Sequence, residues 1–254
     1  MLKYTFILFS IISISCTKVK LEKGTCTESG SRGLVNFNFK ALTSGAEIEN
    51  TREYLSTDTI RYRISDLKFY LSFMAVNSDN DTIGCIDHVK LFNMKDSSLG
   101  NFTLQFPSDR YDALIMGVGL NPQINGTDPS SLEAEHPLSA NQGTYWSWAN
   151  GYKFLQIEGM TATHKNDTSV LSNPLLLHVG TNDCYLERVV LTDFSVKRRD
   201  VTILNMKLNL DQIYNAIHEL DIIEDNYTQT ANSEEAELAF KIIENFSYAI
   251  EISN

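Results

Sequence analysis

Residues 67–73, Leu-Lys-Phe-Tyr-Leu-Ser-Phe, place an apolar side chain at every second position, with Leu67, Phe69, Leu71 and Phe73 alternating with Lys68, Tyr70 and Ser72. Side chains two apart project from one face of an extended chain, so this run predicts a strand with one buried face. The same period recurs at Val35, Phe37 and Phe39, which alternate with Asn36 and Asn38. It continues through "YDALIMGVGL", "YKFLQIEGM", "PLLLHVG", "LERVVLTDFSV" and "VTILNMKLNL", with Asn, Asp, Gly and Ser between the runs. Strand-like segments thus extend from about residue 34 to 210 with few helical interruptions. The pattern predicts an all-β fold, an antiparallel β-sandwich, and argues against a wound α/β sheet.

The period changes near the C-terminus. "LDQIYNAIHELDII" predicts a short amphipathic helix and "SEEAELAFKIIENFSYAI" a longer one. In the second, Ser233 is placed to cap, and Glu234, Glu235 and Glu237 suit the positive end of the helix dipole. Leu238, Phe240, Ile242, Ile243 and Phe246 form its expected apolar side. No internal repeat or linker divides the chain, so residues 34–254 read as one domain.

The N-terminus has a different character. Lys3 precedes an apolar run from Tyr4 to Ile14, too short for a mature membrane span and shaped like a secretory signal. Small residues then lead to Cys16, the pattern of a bacterial lipoprotein signal. Residues 1–15 would be the signal peptide, Cys16 the lipid attachment point and residues 16–33 a polar tether. The expected location is the bacterial cell envelope, with the membrane contacted only through the lipid anchor. A formal net charge of −11 disfavours nucleic acid as a partner. Of the remaining cysteines, Cys26, Cys85 and Cys184, the last two sit in strand-like segments and form the expected disulfide, which an envelope location permits.

No Gly-x-Ser-x-Gly, phosphate-cradling glycine loop, CxxC or His-Glu-x-x-His occurs, so neither an orthodox hydrolase nor a thiolate zinc site has support, and an enzyme is not expected. Of the histidines, His164 reads as a solvated imidazole at a hairpin tip, His218 as one on a surface helix, and His88 as a strand residue facing outward. His136 ends a polar loop before Pro137, and His178 ends an apolar strand before Gly180. Sites in sandwiches gather at such strand ends and loops, so either can be a metal ligand or an ordinary structural residue. Trp146 and Trp148, two apart, would point to the same face of a strand. They read either as core or rim aromatics or, with Tyr152, as a platform for a glycan or a protein partner.

The segment "HPLSANQGTYWSWANGYKFLQIEG", followed by "LLLHVG", resembles the MbnP-like family of copper-binding proteins, related to surface copper proteins of methane-oxidising bacteria. The shared pattern comprises His136-Pro137-Leu138, Gly143, Trp146, Trp148, Gly151-Tyr152-Lys153-Phe154, Glu158-Gly159 and His178-Val179-Gly180. The resemblance implies an extracytoplasmic β-sandwich that binds copper, often as Cu(I), for capture or handover without catalytic turnover. By matching motif, His136 and His178 would be the metal ligands. One of Trp146 or Trp148, oxidised to kynurenine by a dihaem cytochrome c peroxidase-like enzyme, would be a third. Two neutral imidazoles suit Cu(I), whereas zinc usually demands more ligands. Thr144 stands where the family has Met, and Lys40 where some relatives carry His; each removes a possible donor.

Overall fold

The computed structural model describes residues 31–77, 82–83, 89–96, 99–149, 151–230 and 235–254. The strands are β1 (Arg32–Thr43), β2 (Ala46–Glu47), β3 (Tyr54–Leu55), β4 (Arg61–Asn77), β5 (Thr82–Ile83), β6 (Val89–Asn93), β7 (Phe102–Pro107) and β8 (Arg110–Val118). They continue with β9 (Tyr145–Trp146), β10 (Gly151–Thr161), β11 (Asn173–Gly180), β12 (Leu186–Ser195), β13 (Val201–Asn209), β14 (Tyr227–Gln229) and β15 (Ile250–Ser253). One turn of helix, α1 (Pro122–Asn125), and a longer helix, α2 (Ala236–Tyr248), complete the framework.

Two sheets pack face to face, as the alternation predicts. The smaller runs β15-β13-β1-β2, with β7 also on β1; the larger runs β12-β8-β4-β10-β11-β14. Most pairs are antiparallel, but β1 runs parallel to β13 and β11 parallel to β14, so each sheet is mixed. The strand β4 organises the larger sheet, pairing with β10 through Tyr62–Phe69 and with β8 through Leu71–Asn77.

Between the sheets lies an aromatic cluster. Phe37 of β1 stacks on Phe102 of β7 at 4.7 Å, and Phe69 of β4 on Phe92 of β6 at 4.7 Å. Phe39 closes on Phe92 at 5.0 Å, and Phe246 of α2 meets Phe69 edge-on at 5.1 Å. Burial of these rings supplies much of the hydrophobic stabilisation.

The one-face-buried expectation fails on β4. Tyr70 and Ser72, on its predicted polar face, are buried along with Leu67, Phe69, Leu71 and Phe73. A loop covers that face, and the Tyr70 hydroxyl is satisfied there by Pro137 O and Thr144 Oγ1.

The helices also differ from expectation. Buried Ala239, Ile242, Ile243 and Phe246 define the inner side of α2, while Phe240 is exposed, because spacings of three and four return one face of a helix. Ser233 and Glu234 lie outside the described residues. Over 210–223 only a 3-10 turn, Leu210–Tyr214, forms. There the Asn245 side chain of α2 accepts from the N–H groups of Ile217 and His218, at 2.8 Å each, and donates to Ile213 O and His218 O. These bonds occupy backbone groups that a continuing helix would need.

Cys184 lies in a 3-10 turn, Asn182–Cys184, and is buried and free; burial pushes its thiol up to about 11. Cys16, Cys26, Cys85 and His88 lie outside the described residues. No helix among the described residues is long and apolar enough to cross a membrane.

Candidate metal site

The site gathers around β9, β10 and β11. Gly151 and Tyr152 pair with Trp146 and Tyr145 of β9, so the two strands form a hairpin over the turn that holds Trp148. Trp148 is therefore a turn residue, and it does not share a strand face with Trp146. The turn leaves Trp148 62% exposed while Trp146 is 6% exposed, their ring centroids 5.7 Å apart.

Gly180 makes room for the buried indole. A Cβ at Gly180 would lie 2.6 Å from Trp146 Cζ3 and 2.4 Å from Tyr152 O, inside contact distance for both. Gly180→Ala is expected to push the Trp146 indole outward and shift tryptophan emission to longer wavelength. Unchanged emission would show that Gly180 does not seat this ring.

The loop bearing His136 is fastened by the strands beneath it. Tyr70 of β4 donates to Pro137 O at 2.8 Å, and Tyr152 of β10 donates to Leu138 O at 2.9 Å. Lys68 donates to Gln142 O at 2.8 Å and Lys153 to Gly143 O at 3.2 Å. Burial pushes the Tyr152 phenol up to about 12 and Tyr70 upward as well, so both remain donors. Thr144, in the position of the family's Met, is buried against Tyr70, its Oγ1 2.7 Å from the Tyr70 hydroxyl. Tyr152 is wholly buried and unavailable for stacking a ligand, which leaves Trp148 as the exposed ring of the motif. Lys40 is exposed and pairs with Glu47 at 3.4 Å.

His178 lies across from Gln156 on the neighbouring strand and is almost buried. Its Nε2 is 2.8 Å from Glu158 Oε1, and its ring centroid is 6.5 Å from that of Trp146. Glu158 Oε1 also accepts from Gln156 Nε2, which in turn donates to Asp66 Oδ2; Lys95 Nζ stands 2.9 Å from the same Asp66 oxygen. Burial lowers the His178 pKa most strongly, Glu158 opposes that shift, and nearby Lys153 adds to it. The pair is thus a neutral imidazole N–H donating to a carboxylate. An ionised carboxylate can only accept, so Nε2 carries the proton and the Nδ1 lone pair is left for another use.

His136 is built differently. It is exposed, and its Nδ1 accepts the Leu138 N–H at 3.1 Å, which puts the proton of the neutral ring on Nε2. Binding an ion through either nitrogen requires this hydrogen bond to break. The structure therefore brings His178, Trp146 and Trp148 together and holds His136 within its own loop. Among the described residues no group of three or more His, Cys, Asp or Glu side chains converges to hold a metal ion. The donor gathered beside the indoles is one imidazole, His178, oriented by the Glu158 carboxylate.

Glu158 enters the sequence pattern only within the shared Glu158-Gly159 pair of β10, and neither Gln156 nor Asp66 is part of that pattern. The strand continues to Thr161, with an irregularity in its pairing at Glu158 and Gly159. The alternation of Gln156 and Glu158 against Leu155 and Ile157 is the signal that marks these two, and Asp66, on β4, has none. His164 is exposed, as expected of a solvated imidazole. His218 is half-buried, with Nε2 2.7 Å from Glu244 Oε2, and sits on no helix.

The family model of MbnP matches residues 32–233 of the chain. The solved structure of MbnP from Methylosinus trichosporium is similar at a TM-score of 0.49 and 18% identity, over 76% of this chain and 80% of that one. No curated protein sequence matches.

Proposed function

The chain belongs to the MbnP family, and from that premise we propose that it is a copper-binding protein of the bacterial cell envelope. It takes up copper as cargo, as Cu(I), for capture or handover without turnover. The observation that carries this reading is His178, a buried neutral imidazole set against Glu158 and beside the paired indoles. In this reading His178 is the anchoring ligand, pre-oriented by Glu158. His136, on the loop fastened by Tyr70 and Tyr152, is the second imidazole and gives up its bond from Leu138 to bind. Trp146 or Trp148, converted to kynurenine by a dihaem cytochrome c peroxidase-like enzyme, contributes a third donor. Trp148 is the more accessible of the two to such an enzyme. Lipid attachment at Cys16 holds the protein at the membrane.

Titration of the full chain with Cu(I) against a chromogenic chelator tests the reading. One equivalent is expected to bind, with binding lost in His178→Ala and in His136→Ala. Glu158→Gln keeps the ligand set but loses the orienting carboxylate, and a loss of about 10–100-fold in affinity is expected. Stoichiometric binding retained in the double histidine variant would sink the assignment. Tryptic peptide masses of protein from its native host, showing a gain of one oxygen and loss of one carbon on a tryptophan, would identify kynurenine.

A further inference from the structure

Lys153 and Gln156 are three apart on β10, so regular alternation would send their side chains to opposite faces of the sheet. The ladder to β11 is irregular at this point. Lys153 pairs with Gly180 and Leu155 with Val179, so β10 advances two residues while β11 advances one. Such an extra residue re-aims the side chains around it. Lys153 Nζ accordingly donates to Gln156 Oε1 at 3.0 Å and to Gly143 O, in the loop bearing His136, at 3.2 Å.

The Gln156 amide has one orientation that satisfies its surroundings. Lys153 offers only donors, so the amide oxygen faces it. The carboxylates of Glu158 and Asp66 accept, so the amide nitrogen faces them, at 3.1 Å each. Asp66 is buried and held in turn by Lys95 at 2.9 Å, which makes it a fixed post for the amide. Glu158 differs, because its side chain is 35% exposed and has solvent to turn toward. The oxygen that meets His178 Nε2 at 2.8 Å is the same Oε1 that Gln156 holds. A continuous chain of hydrogen bonds therefore runs from Gly143 through Lys153, Gln156 and Glu158 to the His178 ring.

We propose that Gln156 is the positioning residue of this site, fixing the Glu158 carboxylate against His178 and tying the His136 loop to that pair. The role rests on the copper reading and deepens it: one buried amide sets the placement of both imidazoles before an ion arrives. Gln156 acts through Glu158 on one side and through Lys153 on the other.

The test uses the full chain, metal-free, with 15N-labelled histidine. Long-range imidazole spectra read the tautomer of His178, and amide exchange at Gln142 and Gly143, both bonded within the loop, reads the loop. Wild type is expected to show His178 as a single Nε2–H tautomer. Gln156→Met, of the same length without the amide, is expected to move both ring nitrogens toward exchange-averaged shifts. It should also speed loop exchange about three- to tenfold. Lys153→Met is expected to speed the loop alone, since both donor bonds of Gln156 remain. Gln156→Asn, an amide one methylene too short to bridge Glu158 and Asp66, serves as the second variant should the first fail to fold, with the same result expected. Cu(I) affinity is expected to fall about tenfold in either Gln156 variant. A wild-type chain that takes up no Cu(I) would remove the copper reading, while the metal-free comparison still decides what Gln156 holds. His178 kept as a single tautomer in a folded Gln156 variant overturns the proposal, as does unchanged loop exchange in that variant.

Discussion

Phe69→Ala is expected to lower unfolding stability by about 3–5 kcal/mol, the range for removing a large buried aromatic. The side chain is wholly buried and touches three other rings, Phe39, Phe92 and Phe246. Those rings belong to β1, β6 and α2, so one truncation opens a void where both sheets and the C-terminal helix meet. The void is enclosed by strands whose backbones are pinned by ladder hydrogen bonds, which limits how far the walls can collapse. Urea unfolding of wild type and variant measures the difference. A loss below about 1.5 kcal/mol would mean that the site relaxes into the gap or that the cluster is less tightly packed than the distances indicate.

Asn245→Ala is expected to cost roughly 2–4 kcal/mol, since each buried backbone group left without a partner is penalised by about 1–3 kcal/mol. Four bonds converge on this one buried side chain, two accepted and two donated. Removal strands the N–H groups of Ile217 and His218 together with the carbonyls of Ile213 and His218. Part of the penalty is recovered if the 213–218 segment peels away and is solvated. Amide exchange should therefore accelerate in this segment ahead of the strands. Asn245→Asp retains the two acceptor bonds and loses the donors, so it should also destabilise, with the segment's carbonyls facing a buried charge. Equal protection of the 213–218 amides in wild type and Asn245→Ala would remove the side chain from its anchoring role.

The candidate site was only half visible before the fold was known. His136, His178, Trp146 and Trp148 could be named because their order along the chain matches a family pattern, and the described structure places three of the four together. Glu158 could not be assigned to His178 from the chain alone. The two are 20 residues apart, and their contact depends on the register that sets Gln156 opposite His178. Nor does sequence separate the two tryptophans. One is 6% exposed and the other 62%, because a hairpin turn ends the strand at Trp146. The alternative of an aromatic platform for a glycan or protein partner loses Tyr152, which obeys the alternation of β10 and is roofed by the loop from Pro137 to Thr144.

Local covalent geometry determined what the sequence alone could settle: a period of two marks strands and a period near 3.6 marks α2, so the all-β class and most strand positions follow from residue order. Tertiary structure decided everything that depends on which surface covers which. It buried the polar face of β4 under a loop and ran two strand pairs parallel. It also let one asparagine replace the hydrogen bonds of an expected helix. The physical reason is that burial and hydrogen-bond pairing are properties of distant neighbours, and side-chain alternation carries no information about their identity.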